Sequence, residues 1–172
     1  LLVGCPIKFQ CGTDSVAENN IIIDSSGGTR MAMVNEYNTD RFVRNIVVAR
    51  SEMTIGESYG VSPEDSRCHF YHAVQCPVEG PLLQEIDHNL FWSDLGDFKA
   101  IVTPGSTGKR PGKDLESEAL SLEEWQERGY DRNSVFADPL FVDSEHGDYR
   151  LQTESPALKL GFQSFDTRQF GL

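Results

Sequence analysis

The chain has 172 residues, enough for one domain with a real hydrophobic core. Its formal net charge of −12 argues against nucleic acid and anionic membrane surfaces as partners, because phosphate binding needs clustered Lys and Arg. No apolar run of about 18 residues is present, so no membrane-crossing segment is expected.

The opening residues, Leu1-Leu2-Val3-Gly4-Cys5-Pro6, read as the middle of a strand, with neither an initiator Met nor a charged leader. They imply a fragment or processed piece of something longer, with any signal peptide lying upstream. An open first coil at residues 1–10 would leave an exposed edge, so missing N-terminal coils or another subunit are expected partners. Cys5, Cys11, Cys68 and Cys76 leave two readings open: disulfides in a secreted protein, or buried thiols packing as small hydrophobes.

An internal repeat follows. Gly12-Thr13-Asp14 through Asn19 is echoed by Asn38-Thr39-Asp40 through Asn45, with the Thr-Asp pair and the Asn offset by 26 residues. Each Asn is followed by an apolar run, Ile21-Ile22-Ile23 and then Ile46-Val47-Val48, and Ile86 to Trp92 offers a third copy. Repeats of roughly 20 to 50 residues point to a solenoid. Short β-branched runs between Gly, Asn and Asp point to one made of strands. Asn19, Asn45 and Asn89 are the candidate asparagine ladder, stacked to hydrogen-bond the turn backbone.

A polar loop is expected to be inserted near residues 53–66. Residues 104–112 form a Gly- and Pro-containing loop whose Gly-Lys pair lacks the spacing and the following Ser or Thr of a phosphate loop. Beyond it, Ser121 and Glu124 form a capping box for a short helix, with Leu122 and Trp125 on one face and Gly129 at its end. Asp138-Pro139 breaks the run before the apolar strand 140–142, a polar turn follows at 144–148, and 149–151 reads as a second strand. The chain thus divides into coils over residues 1–103 and a loop, helix and closing segment over residues 104–172.

The words SLEEWQERGYD, SVFADPLFVD, GDYRL and SPALKLGF resemble the C-terminal closing segment of bacterial right-handed parallel β-helix proteins of the pectin-lyase-like class. That resemblance implies an all-β parallel β-helix (β-solenoid), seen as its last coils with a C-terminal cap. It also implies a secreted or periplasmic carbohydrate-active protein acting on a polysaccharide or oligosaccharide. Glycoside hydrolysis is the leading expectation. Polysaccharide elimination by a lyase, or a non-catalytic carbohydrate-binding or structural module, is the alternative. No cofactor is expected, although the lyase reading would add Ca²⁺.

Glycoside hydrolysis needs two carboxyl groups about 5 to 9 Å apart, and strands neighbouring at about 4.8 Å supply that separation. The candidate catalytic residues are Glu36 and Asp40, at the end of the strand 31–37, with His72 for proton transfer. Asn35, Tyr37, His69 and Trp92 are the candidate substrate-binding residues, as hydrogen-bonding groups or stacking surfaces for a sugar. Cys68, His69, His72 and Cys76 do not have the spacing of a standard zinc site, so no metal is assigned. Elimination would instead want a base beside a cation, for which Lys8, Arg30, Arg41 and Arg44 are available.

Overall fold

The runs Ile21-Ile22-Ile23 and Ile46-Val47-Val48 set the frame, because stiff β-branched residues favour a pleated strand and leave both of its faces apolar. In the computed structural model, residues 1–10, 12–23, 28–32, 38–49, 69–76, 82–104 and 117–167 are described. From the first strand through the eleventh, successive short strands fall into different sheets. Sheet A is parallel and takes β1 (Leu2–Val3), β4 (Ile21–Ile23), β7 (Ile46–Ala49), β10 (Leu90–Ser93) and β13 (Val135–Phe136). Sheet C, also parallel, takes β3 (Val16–Glu18), β6 (Arg41–Val43) and β9 (Glu85–Asp87). Sheet B is mixed: β2 (Lys8–Gln10), β5 (Thr29–Ala32), β8 (Tyr71–Cys76) and β11 (Ala100–Pro104) run parallel, and β12 (Glu118–Leu120) joins β11 antiparallel. A separate antiparallel pair, β14 (Phe141–Asp143) and β15 (Asp148–Leu151), lies near the C-terminus. Among the described residues, two short α-helices, α1 (Leu122–Glu127) and α2 (Pro156–Lys159), and a 3-10 turn, Ser144–His146, complete the order.

The expected single right-handed parallel β-helix is therefore corrected. The strands are divided among several separate sheets, parallel, mixed and antiparallel, with short helices between them, so the architecture is mixed rather than one β-solenoid. The repeat in the sequence reports local in-register pairing, which holds strand by strand. It does not fix how the closing third is built, where β12 reverses direction and β14 and β15 pair only with each other.

The register also differs from the repeat by one residue. Val16 lies opposite Arg41 and Ile21 opposite Ile46, a spacing of 25, whereas Ile46 lies opposite Leu90 at a spacing of 44. The ladder is consequently Asn20, Asn45 and Asn89. Asn20 Nδ2 donates to Asn45 Oδ1 (3.0 Å), and Asn45 Nδ2 donates to Asn89 Oδ1 (3.2 Å). Asn89 Nδ2 donates in turn to Asp131 Oδ1 at 2.9 Å. Asn19 instead occupies the preceding left-handed position (φ 57°), matched by Arg44 (53°) and His88 (58°). Every passage from sheet C to sheet A is thus two residues long, one left-handed and one ladder asparagine, at 19–20, 44–45 and 88–89.

The main core lies between sheets A, B and C. Phe9, Ile22, Met31, Phe42, Val47, Tyr71, Ala73 and Phe91 point into it, and α1 adds Trp125. Trp125 stacks on Tyr71 (centroids 5.3 Å apart) while its Nε1 donates to the buried Asp131 Oδ2 at 2.9 Å. The capping box fixes the start of α1: Ser121 Oγ accepts from Glu124 N, and Glu124 Oε2 accepts from Ser121 N. A second apolar layer covers the other face of sheet A, where Ile21, Ile23, Ile46, Val48 and Leu90 meet Ala157 and Phe162. Gly28, at φ +61°, introduces β5; a Cβ there would stand 2.8 Å from Phe70 O, so only glycine fits.

Candidate functional site

Two places hold polar groups in arrangements with chemical content. One is the face of sheet B turned away from the core. Because side chains alternate across a strand, Phe9, Met31 and Ala73 enter the core while Lys8, Arg30 and His72 line the opposite face in register. Lys8 is exposed, Arg30 half-buried and His72 buried. His72 Nε2 lies 3.2 Å from Thr103 Oγ1, and Thr103 Oγ1 lies 2.8 Å from Ser117 Oγ. Burial, then Arg30, then His69 push the His72 imidazole down to about 3, so it is neutral at physiological pH.

His69 precedes β8, and its ring meets that of His72 edge to face, with centroids 6.4 Å apart. His69 lies before the strand and so is not bound by its alternation. Both are buried. Asp40 is placed elsewhere, in the turn before β6. Its Oδ1 accepts from Ser15 N (2.7 Å) and its Oδ2 from Asn38 Nδ2 (2.8 Å), so both oxygens hold the turn. The candidate residues Asn35, Glu36 and Tyr37 lie outside the described residues, as do Cys11, Cys68 and the loop near 53–66. Cys5 is exposed and free.

The second place is a cleft of about 330 Å³ between the end of sheet A and the turn entering β14. Trp92 forms part of its wall, with Asp94, Asp138, Leu140, Glu145 and Gln152 around it. Trp92 is half-buried, leans on Phe136 with centroids 5.8 Å apart, and keeps an open surface toward the cleft. Among the described residues brought forward from the sequence, Trp92 alone lines this cleft, while His69 and His72 meet on sheet B.

The cleft wall is built from a strained turn. Leu140 adopts φ +54°, uncommon for a bulky side chain. Three hydrogen bonds hold it: Leu140 N to Asp138 Oδ1 (2.8 Å), Gln152 N to Leu140 O (2.9 Å) and Ser155 Oγ to Pro139 O (2.6 Å). Such strain persists only where surrounding contacts over-determine it, and it clusters at ligand-binding walls. Sequence reasoning read Asp138-Pro139 as a strand boundary but missed Asp94, Asp138, Glu145 and Gln152 as neighbours of Trp92. Asp-Pro marks a turn; nothing in a linear pattern indicates that this turn faces Trp92. Arg30 was visible only as one of several available cations, and its position beside His72 depends on the sheet register.

No protein family, curated protein or solved structure matches this chain. The resemblance to pectin-lyase-like β-helix proteins is accordingly withdrawn, since neither the sheet organisation nor any family supports it.

Proposed function

We propose that the chain binds a short saccharide in the cleft beside Trp92. The observation that carries the reading is the combination on one concave wall of an aromatic face with several hydrogen-bonding groups. An indole face is apolar and rigid, suited to stacking on the C–H face of a pyranose ring. Asp94, Asp138 and Glu145 offer acceptors, and the Gln152 amide both accepts and donates, which matches a ring of hydroxyl groups. The volume falls at the small end of ligand pockets, roughly 300 to 1,000 Å³, enough for a short stretch of sugar rather than a long chain.

The test is titration calorimetry against a panel of neutral and charged oligosaccharides. Trp92→Ala is expected to weaken binding about tenfold or more, in line with the loss of one aromatic anchor. Because Trp92 also packs in the second apolar layer, the exposed Glu145→Gln is the companion variant, and it should weaken binding without changing the thermal midpoint. Absence of binding to any saccharide, or binding unaltered in both variants, overturns the reading.

Hydrolysis of a glycosidic bond is the second reading, favoured by three carboxylates lining one cleft. Release of reducing ends that disappears in Asp94→Asn, Asp138→Asn or Glu145→Gln supports it. Binding without turnover leaves the cleft a recognition site.

A further inference from the structure

We infer that the saccharide held beside Trp92 is an amino sugar, bound with its protonated nitrogen among the carboxylates of the cleft; the inference rests on the saccharide reading above and adds the charge of the ligand. The sign follows from the lining. Asp94, Asp138 and Glu145 are its charged residues, and among the described residues no Lys, Arg or His joins them. His146, the chain neighbour of Glu145, pairs instead with Asp143, its Nδ1 lying 2.9 Å from Oδ1. A uronic acid would therefore meet only like charge in the cleft, and a neutral sugar would gain nothing from it. A cation is attracted by all three carboxylates.

The hydrogen-bonding groups point the same way. Gln152 Nε2 already donates to Phe141 O (3.1 Å), so the lining offers more acceptors than donors. An ammonium group is the complement, with three donors and no acceptor. Trp92 adds an attraction of the same sign, because an indole face draws a cation held within about 6 Å of its centroid. The carboxylates do not converge as metal ligands do: among the described residues, no group of three or more His, Cys, Asp or Glu side chains is placed to hold a metal ion. Spread around an aromatic wall, they suit a charge carried on an organic ring. All three are exposed, so each contributes modestly and the preference is a sum of small attractions.

Titration calorimetry at low salt with the trisaccharides of glucosamine, N-acetylglucosamine and galacturonic acid reads the preference directly. The glucosamine probe is expected to bind about tenfold more tightly than its N-acetylated counterpart, and the galacturonate probe more weakly than either. The preference should shrink as salt is raised, which separates charge from the added bulk of the acetyl group. Asp94→Asn and Glu145→Gln, both at exposed positions, should each narrow it about two- to threefold. Equal binding of the cationic and neutral probes, or tighter binding of the acidic one, overturns this inference and leaves the saccharide reading in place. A preference undiminished in both variants also overturns it, because the charge recognition then lies outside the cleft carboxylates. If none of the three probes binds, the amino-sugar assignment falls, and the wider saccharide panel decides the reading beneath it.

Discussion

Replacing Asn89 by Ala removes the ladder member that reaches the buried carboxyl of Asp131. Its Oδ1 accepts from Asn45 N (2.9 Å) and Asn45 Nδ2 (3.2 Å), and its Nδ2 donates to Phe42 O (3.1 Å) and Asp131 Oδ1 (2.9 Å). All four partners are in the interior. A net hydrogen bond is worth about 1 kcal/mol, and one to a charged group about 1.5 to 3, so the loss is about 4 to 6 kcal/mol. Asn45→Ala also breaks four bonds, to Asn20 N, Asn20 Nδ2, Ala17 O and Asn89 Oδ1, but none involves a charge; about 3 to 4 kcal/mol is expected. Asn20→Ala, at the half-exposed end, loses bonds to Glu18 O and Asn45 Oδ1 and should cost about 1 kcal/mol. Asn89→Asp keeps the acceptors but sets a second carboxyl against Asp131, whose own pKa is raised by burial. It should be worse than Ala at neutral pH and recover on acidification. Urea denaturation measures the series. With total stabilities of about 5 to 15 kcal/mol, the Asn89 variants approach the unfolding limit. Equal costs at Asn20 and Asn89, or a cost below about 1 kcal/mol at Asn89, would refute the ladder as a source of stability.

Gly28→Ala should destabilise by about 2 kcal/mol or more, because the residue must keep φ +61° while its new Cβ stands 2.8 Å from Phe70 O; a thermal midpoint unchanged from the parent sinks this reading. His72 makes the fold acid-sensitive. Its folded pKa of about 3 lies below the ordinary 6.5, so above pH 6.5 neither state carries the proton. As the pH falls from 6.5 toward 3, the unfolded chain takes up a proton that the folded chain refuses, and stability drops by up to about 1.4 kcal/mol per pH unit. His72→Gln retains a partner for Thr103 and should remove about 2 kcal/mol of the loss between pH 7 and 5; parallel stability curves for the two proteins would contradict it.

What the sequence disclosed, and what it hid, follows from the range of each interaction. The helix at Ser121 was legible because a capping box is local: Ser121 and Glu124 are three residues apart, and Gly129 takes the left-handed conformation (φ 98°) that ends it. The apolar runs were legible as strands for the same reason. The repeat offset misled by one residue. Matching Thr13-Asp14 to Thr39-Asp40 gives 26, yet pairing is decided by which side chains reach the core, and that favours 25. The error moved the ladder from Asn20 to Asn19. The separation into several sheets was not legible, because the antiparallel return of β12 depends on a contact with β11 across a connection without periodicity. Of the candidate site residues, Asp40 belongs to turn chemistry, as Thr-Asp before a strand suggests. The neighbours of Trp92 come from residues 94 to 152, brought together only by tertiary packing.

The passages from sheet C to sheet A never vary: two residues each time, at 19–20, 44–45 and 88–89. The separation between paired strands of sheet A nevertheless grows from 20 to 25, then to 44 and 45 residues. The added length therefore lies elsewhere in the circuit, between β7 and β8 in one turn and between β11 and β13, with β12 and α1, in the next. The molecule separates a corner of constant length, which carries the asparagine ladder, from connections whose length varies. The register of sheet A is thus held at its corners while the chain between them changes in length.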